Sequence, residues 1–463
     1  MQSFDCAIIG TGPAGMSAAL RLSELGATVA VLDRAPSPGG QIYRAVAQSP
    51  LATPDKLGAD YLSGADLVSA FSKSNVAWMP GADVWHLGDD GRIFYSQDNR
   101  TQELQCRQML ICPGAMERPM PIPGWTLPGV MTAGSAQVML KSDAMAISDA
   151  IFAGSGPLLY LIVAQYLRLG IPIAGVVDTT PRQNYVAALP MLASALRQVG
   201  MLFKGLGLLR EIQKSKVPFY RFATDLEVVG TDHAQGLRFQ QDGASYELSG
   251  DAVLLHHGVV PNLNLARSIG LDHVFEPDQL AWRVKTSPFG QTSCPHIWVA
   301  GDGAGIVGAN GAKHAGELAA LGIGCELGLL DDVGRDQLAE APRKASAGQS
   351  GFRRFIDRLY QPAPDLMLPT RDDTIVCRCE EQSLWDLRQG FQSGARDPNA
   401  LKSLTRCGMG PCQGRQCGHI VSGLLAKWRE EPVADVGYYR LRSPLRLLTL
   451  EELARLQDGE SAR

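Results

Sequence analysis

The sequence predicts an α/β protein: two Rossmann-like dinucleotide-binding domains followed by a small α-rich C-terminal domain. Three observations predict it. Glycine-rich turns join an apolar run to a helical run at residues 10–15 and again at 154–157. Each unit closes on a second apolar run that ends in an acid, Asp33 in the first and Asp178 in the second. Five of the ten cysteines gather between Cys377 and Cys417.

The first unit opens the chain. Ala7-Ile8-Ile9 reads as a buried parallel strand, and Met16 to Leu25 reads as a helix stopped by Gly26. Between them Gly10, Gly12 and Gly15 form G-x-G-x-x-G. Gly10 permits the tight turn, Gly12 lets a pyrophosphate approach the backbone, and Gly15 lets the helix pack close to the strand. The helix N-terminus carries free N–H groups and partial positive charge, which suits a phosphate. Thr28 to Leu32 is the next strand, and it ends in Asp33. The interval from Gly15 to Asp33 suits an acid holding the ribose hydroxyls of an adenine dinucleotide.

Composition narrows the function. At 463 residues the chain is too long for one core. A net charge of −4 with no basic block argues against nucleic acid. The N-terminus passes straight into a strand and reads as lacking a signal peptide. The apolar run Pro157 to Val177 is broken by Gln165 and Arg168 and reads as a buried helix and strand. Clustered cysteines without a secretion signal point to a metal centre in a reducing compartment.

Further along, Gly39-Gly40 allows another close backbone approach. Gly64 to Lys73 reads as a helix, followed by a strand pair broken at Asp89-Asp90-Gly91. The strand Gln108 to Cys112 runs into Pro113-Gly114-Ala115, and Pro119 to Pro128 reads as an extended crossover. The second unit repeats the first from Ala150: strand, Gly154-Ser155-Gly156-Pro157, helix to Leu169, strand to Val177, then Asp178. Leu159 replaces the third glycine, so the helix cannot sit as close to the strand. Asp178 favours a ribose 2′-hydroxyl over a 2′-phosphate. The occupant stays open between ATP, ADP, NAD and nothing.

Residues 183–221 read as amphipathic helix, 224–260 as strands, and His256 and His257 as packing residues. Pro295 to Ala300 is a buried strand, followed by Gly301-Asp302-Gly303 and a helix after Asn310. Residues 331–372 read as helix plus linker. Cys377-x-Cys379 is followed further on by Cys412-x4-Cys417. Four thiolates in two close pairs suit a [2Fe–2S] cluster. Zinc is the inorganic alternative, although its knuckles usually use C-x2-C pairs. Cys407 is an extra cysteine and an alternative ligand. Thr449 and Glu452 form a capping-box pattern at a short terminal helix.

The G-x-G-x-x-G turn with Asp33, the Cys112-Pro113-Gly114-Ala115 strand end, the second glycine turn and Val299-Ala300-Gly301-Asp302 resemble flavoproteins of the pyridine nucleotide–disulfide reductase superfamily. That resemblance covers about residues 1–345. It implies FAD in the first unit, held by Gly10, Gly12, Pro13, Ala14, Gly15, Asp33, Arg34, Gly40, Gln41, Arg44, Val84, Gly114, Gly301 and Asp302. It implies a second nucleotide site at Gly154, Gly156, Pro157 and Asp178. No C-x-x-C or C-x4-C occurs between residues 1 and 376, so the redox cysteine pair of the disulfide reductases is missing. The cysteine segment, including Thr405 to Arg415, resembles the bacterioferritin-associated-ferredoxin-like domain. That likeness implies Cys377, Cys379, Cys412 and Cys417 as cluster ligands.

The whole arrangement resembles the FAD/iron–sulfur subunit of bacterial hetero-oligomeric amine dehydrogenases: opine oxidases, D-hydroxyproline and proline dehydrogenases, and hydrogen cyanide synthase. The resemblance implies an electron-relay oxidoreductase acting on CH–NH donors, with no catalytic acid–base residues of its own. It implies a flavin-containing catalytic partner subunit, a small third subunit and a downstream electron acceptor. It implies a cytoplasmic location, with peripheral association at the inner membrane face. The implied domains are 1–122 with 285–345 for FAD, 123–284 for the second nucleotide, a linker at 346–372, the cluster domain at 373–430 and a partner-docking tail at 431–463. The competing reading is a self-sufficient NAD(P)H-dependent flavin/iron–sulfur reductase.

Overall fold

The computed structural model describes residues 2–454. Two parallel sheets carry the two nucleotide units. In the first, the strands Ala77–Pro80, Val29–Asp33, Gln2–Ile9 and Arg100–Ile111 lie side by side in that order and run parallel. The strands Arg92–Gln97 and Asp83–Leu87 extend the sheet antiparallel. The strand Arg100–Ile111 serves two partners along one length. Its first half pairs with Arg92–Gln97, and its last three residues pair with Ile297–Val299. A segment from far downstream thus completes the first sheet.

The second sheet orders Phe219–Arg221, Ile173–Asp178, Ala150–Gly154, Val253–His256 and Val130–Thr132, all parallel. Its two central strands are buried along their whole length, as strands covered on both faces must be. The run Pro157 to Val177 is the expected buried helix and strand.

Helix packing in the first unit depends on missing side chains. A Cβ at Gly15 would lie 1.9 Å from the Gly10 carbonyl oxygen. A Cβ at Gly316, in the helix Gly308–Glu326, would lie 2.1 Å from the Ala14 carbonyl oxygen. In the second unit Leu159 stands where Gly15 stands in the first, and it is fully buried.

The helix Asp332–Leu359 runs well into the stretch expected as linker, so residues 346–359 are helical and the irregular connection begins only after them. The cause is a polar–apolar helical pattern that carries on past Pro342 to Leu359, with the prolines Pro362 and Pro364 beyond it. The C-terminal domain packs the helices Leu384–Gln392, Pro398–Thr405 and Gly418–Arg429 around a two-stranded ribbon. The tail then returns over the chain itself. Tyr438, Tyr439 and Leu441 are buried. The Thr449 and Glu452 capping box forms, and Glu452 also binds Ser96 and Arg446. Residues 455–463 of the expected docking tail lie outside the described residues.

Two predictions arise from this packing. Gly316→Val should destabilise the protein by about 1–3 kcal/mol through overpacking and lower flavin content, read by melting temperature and flavin absorbance. Burial also holds His257 and His273 down to about 3. The unfolded chain takes up those two protons near pH 6.5, so stability is full above that value and falls as pH drops toward 3. The urea midpoint should decline between pH 7 and pH 5.5; a flat midpoint there would contradict the burial.

Candidate functional site

The first site is built by register. Ile9, Ile111 and Val299 are partners across three strands, so the turns that follow them converge. A Cβ at Gly10 would strike the Cys112 carbonyl oxygen at 2.3 Å, and Gly10 has φ +106°. The Gly39 N–H donates to the Thr11 carbonyl at 2.9 Å. A Cβ at Gly40 would sit 2.8 Å from the Gly12 Cα, and one at Gly301 would sit 2.9 Å from the Ala14 Cβ.

At the centre, the helix Pro13–Glu24 starts at Gly12 with no side-chain cap. Its first N–H groups therefore lack protein acceptors in the cap. Positions Gly12 and Gly114 open onto free space where a Cβ would touch nothing. Uncapped donors and bare backbone fit the pyrophosphate of FAD. Asp33 is oriented by Thr11, whose N–H and Oγ1 donate to Oδ2 at 2.7 and 2.6 Å, and by Ala35 N–H on Oδ1. The Gly81 N–H reaches the Ala35 carbonyl, which brings the strand carrying Val84 beside Asp33. Arg34 is exposed. Asp302 Oδ1 accepts from the N–H groups of Val307 and Gly308 at 2.8 and 2.9 Å and fixes the start of the helix Gly308–Glu326.

On the other rim, Arg44 donates to Gln41 Oε1 at 2.9 Å, while its buried Nε has no partner. Lys141 donates to the Ile42 carbonyl at 3.1 Å and stacks over the Tyr61 ring at 5.2 Å. Burial brings the Lys141 ammonium down to about 7. No local pattern marks Lys141 in the sequence, because it comes from the second unit's first helix. The nearest cysteine, Cys112, is buried, and burial pushes its thiol up to about 12.

The second unit has the same turn but a different end. Gly154 and Gly156 have φ +136° and +109°, and Pro157 opens the helix. Ser155 Oγ is buried without a partner. Asp178 is only 1% exposed. Its Oδ1 accepts from Thr180 N–H and Oγ1, and its Oδ2 accepts from the Tyr160 hydroxyl at 3.0 Å. Tyr360 packs edge-on against Tyr160 at 5.9 Å. Asp178 thus faces protein donors rather than an open ribose pocket. Beside it, the buried His256 bonds Glu117 through Nδ1 at 2.6 Å, and Glu117 accepts the Gly134 N–H at a helix start.

The third site is the cysteine centre. The Sγ atoms of Cys377, Cys407 and Cys417 lie within 4.8 Å of one another, all buried. Cys379 and Cys412 form a second, less buried pair, with the Cys412 N–H directed at the Cys379 sulfur. The extra cysteine of the sequence thus belongs to the trio. Thiol donors from Cys407 and Cys417, then the N–H groups of Gly408 and Glu380, hold the Cys377 thiol far below its usual range. The same contacts push the Cys407 and Cys417 thiols up, so the three sulfurs share protons around one favoured thiolate. A Cβ at Gly410 would lie 2.2 Å from the Cys379 Cβ, so only glycine admits that cysteine. The Tyr439 hydroxyl donates to Cys407 Sγ at 3.4 Å. These sulfurs fit an iron–sulfur site.

One short segment touches the first site and the third. The Asn262 N–H donates to the Gly114 carbonyl at 3.0 Å. Two positions on, Asn264 Nδ2 donates to the carbonyls of Cys412 and Gln413 at 3.3 and 3.2 Å. Arg267, in the short helix Asn264–Ser268 that Asn264 opens, stacks over Tyr438 at 4.2 Å. Sequence reading missed these residues, since nothing local marks an asparagine as a bridge.

Comparisons with known proteins show the family and the fold. Residues 4–181 match the pyridine nucleotide-disulphide oxidoreductase family, and residues 373–456 match the sarcosine oxidase A3 domain. The opine oxidase A subunit of Rhizobium meliloti is 38% identical, with 98% of this chain and 88% of the relative covered. Hydrogen cyanide synthase subunit HcnB of Pseudomonas aeruginosa is 30% identical, covering 95% and 96%. Among solved structures, L-proline dehydrogenase from P. horikoshii superposes with a TM-score of 0.71 at 18% identity, covering 97% of this chain and 79% of the other. Fold and site define a flavoprotein oxidoreductase of the pyridine nucleotide–disulphide oxidoreductase type, extended by a cysteine domain. The chain belongs to the family of the opine oxidase A subunits.

Gly410→Val should lower bound metal per chain at least ~tenfold, the usual cost of disturbing a ligand's support. Elemental analysis reads it, and Leu404→Ser, exposed in the same domain, should leave metal content unchanged.

Proposed function

We propose that this chain is the electron-transfer FAD/[2Fe–2S] subunit of a hetero-oligomeric amine or imino-acid dehydrogenase of the opine or D-hydroxyproline type. A flavin-bearing partner subunit oxidises the substrate C–N bond, and this chain carries the electrons on to a downstream acceptor. The same relay role fits the corresponding subunit of hydrogen cyanide synthase. The observation that carries the proposal is the Asn262–Asn264 segment, hydrogen-bonded to Gly114 at the flavin cradle and to Cys412 in the cysteine centre. When bound, FAD accepts an electron pair and an iron–sulfur cluster passes single electrons.

The chain's own residues do the positioning. Gly10, Gly12 and Gly15 bare the helix N-terminus to the pyrophosphate, and Asp33 awaits the ribose. Asn264 holds the Cys412 loop against the flavin domain. Cys377, Cys379, Cys412 and Cys417 are the proposed ligands. Cys407 then remains a buried thiol beside them, bonded by Tyr439. The second unit keeps an adenine-nucleotide fold but does not take hydride from a nicotinamide: Asp178 is sealed inside the fold behind Tyr160, whereas Asp33, equally hydrogen-bonded, stays partly exposed. The proposal includes a small third subunit and a cytoplasmic location with contact at the inner membrane face.

NADH and NADPH, added anaerobically to the isolated chain, should leave the flavin absorbance unbleached, while dithionite bleaches it. Rapid bleaching by either nucleotide would establish the reductase reading instead. Cys412→Ser should abolish the cluster's visible signal and leave flavin bound, whereas Cys407→Ser should retain iron.

A further inference from the structure

The segment 182–214 is apolar on the wrong side. It consists of the helix Arg182–Ala188, two short 3-10 turns flanking Leu192–Ala195, and the helix Val199–Lys214. One face is docked on the protein. Ala188, Ala195, Leu208 and Ile212 are buried. Asn184, Ser194 and Gln198 donate to backbone carbonyls in and just beyond the helix Asp332–Leu359. The other face exposes large side chains. Val186, Leu189, Leu196 and Phe203 are 56–69% exposed, and Val199 and Leu206 are each 49% exposed. A run of this size on a monomer surface marks an interaction site.

Charge decides what covers it. Residues 182–216 hold six basic side chains, Arg182, Arg197, Lys204, Arg210, Lys214 and Lys216, against the single acid Glu211. The whole chain has a net charge of −4, so this strip is cationic on an acidic molecule. Glu211 is engaged by Arg168, Lys204 by Asp60 and Arg182 by Asp242. Arg197, Arg210, Lys214 and Lys216 are exposed. Protein interface cores are depleted of lysine, whereas cations interleaved with exposed Leu, Phe and Met suit the headgroup–acyl boundary.

The segment is long and apolar enough in composition to cross a membrane, but its shape forbids it. The longest straight helix has 16 residues, or about 24 Å at 1.5 Å per residue, short of the ~30 Å hydrocarbon core. Its inner face is already bonded to the protein. A docked helix with cations and an outward apolar face lies in the interface plane.

We propose that residues 182–216 bind the surface of an anionic lipid bilayer, with Phe203 and Leu206 entering the acyl boundary and Arg210 and Lys214 meeting phosphate headgroups. This deepens the membrane-contact part of the proposed function and is independent of its electron relay. The chain would then sit against the bilayer where a membrane-borne electron acceptor is reached.

The test is flotation of the full flavin-loaded chain with vesicles of phosphatidylcholine, alone or mixed with phosphatidylglycerol. The wild type should float with the anionic vesicles at least ~tenfold more than with neutral ones, and less in about 0.5 M salt. Phe203→Ser with Leu206→Ser should reduce flotation at least ~tenfold at unchanged flavin absorbance and melting temperature. Arg210→Gln with Lys214→Gln should remove the anionic preference. Absence of wild-type flotation, or flotation indifferent to both variants, would overturn the proposal. So would a serine variant that floats like the wild type but no longer copurifies with its partner subunit, since the strip would then cover a protein. Turnover is not read at any point, so failure here leaves the relay proposal standing, and failure of the nicotinamide test leaves this one standing.

Discussion

The flavin domain rests on one contact between two backbones. Gly316 lies so close to the Ala14 carbonyl that no Cβ fits between them. This contact seats the late helix Gly308–Glu326 on the opening helix Pro13–Glu24. It brings Gly301 against Ala14 and sets Asp302 at the rim of the glycine turn. Without it, the strand Ile297–Val299 would pair with Arg100–Ile111 on only three residues, too few to hold a return from so far along the chain. The cofactor cradle is therefore a product of long-range packing as much as of the local glycine motif.

That distinction explains what could be read from sequence. The first turn was legible because its constraints are local: a strand, three glycines, a helix and an acid, all complete by Asp33. The second turn was legible for the same reason, but the fate of Asp178 was not. Tyr160 lies one helical turn past Gly156 and resembles any buried aromatic in sequence. Tyr360 comes from the far end of a much later helix. Between them they turn an acid with the correct spacing into a buried, protein-bonded group. Spacing locates a carboxylate; only packing says what it faces.

The cysteine centre shows the same limit at shorter range. The paired spacing C-x-C and C-x4-C identified a metal-binding segment. It did not show that Cys407 falls within reach of Cys377 and Cys417, because that depends on the left-handed turn at Arg406 after the helix Pro398–Thr405. Nor did it show Tyr439, which arrives from the tail and places its hydroxyl on Cys407. The same hydroxyl lies 3.8 Å from the Sγ of Cys417, a proposed ligand, and a polar group beside a ligand sulfur tunes its redox properties. The tail beyond the cluster domain is thus part of the centre's environment, and its aromatic pair is spent on the chain itself.

The second unit raises a different question, since its acid is occupied while its fold is kept intact. Much of what it carries serves other places. Its first helix sends Lys141 to the flavin rim. Its last parallel strand holds His256 against Glu117, which in turn binds the start of that same helix. Asn264, beyond that sheet, clasps the Cys412 loop. Its excursion at 182–214 presents the cationic apolar strip. Through these contacts the second unit ties the flavin rim, the cysteine centre and the 182–214 strip into one framework. Each of those contacts fixes one element against another, so the relative placement of the flavin cradle and the cysteine centre is set by the second unit as much as by the sheets that carry them.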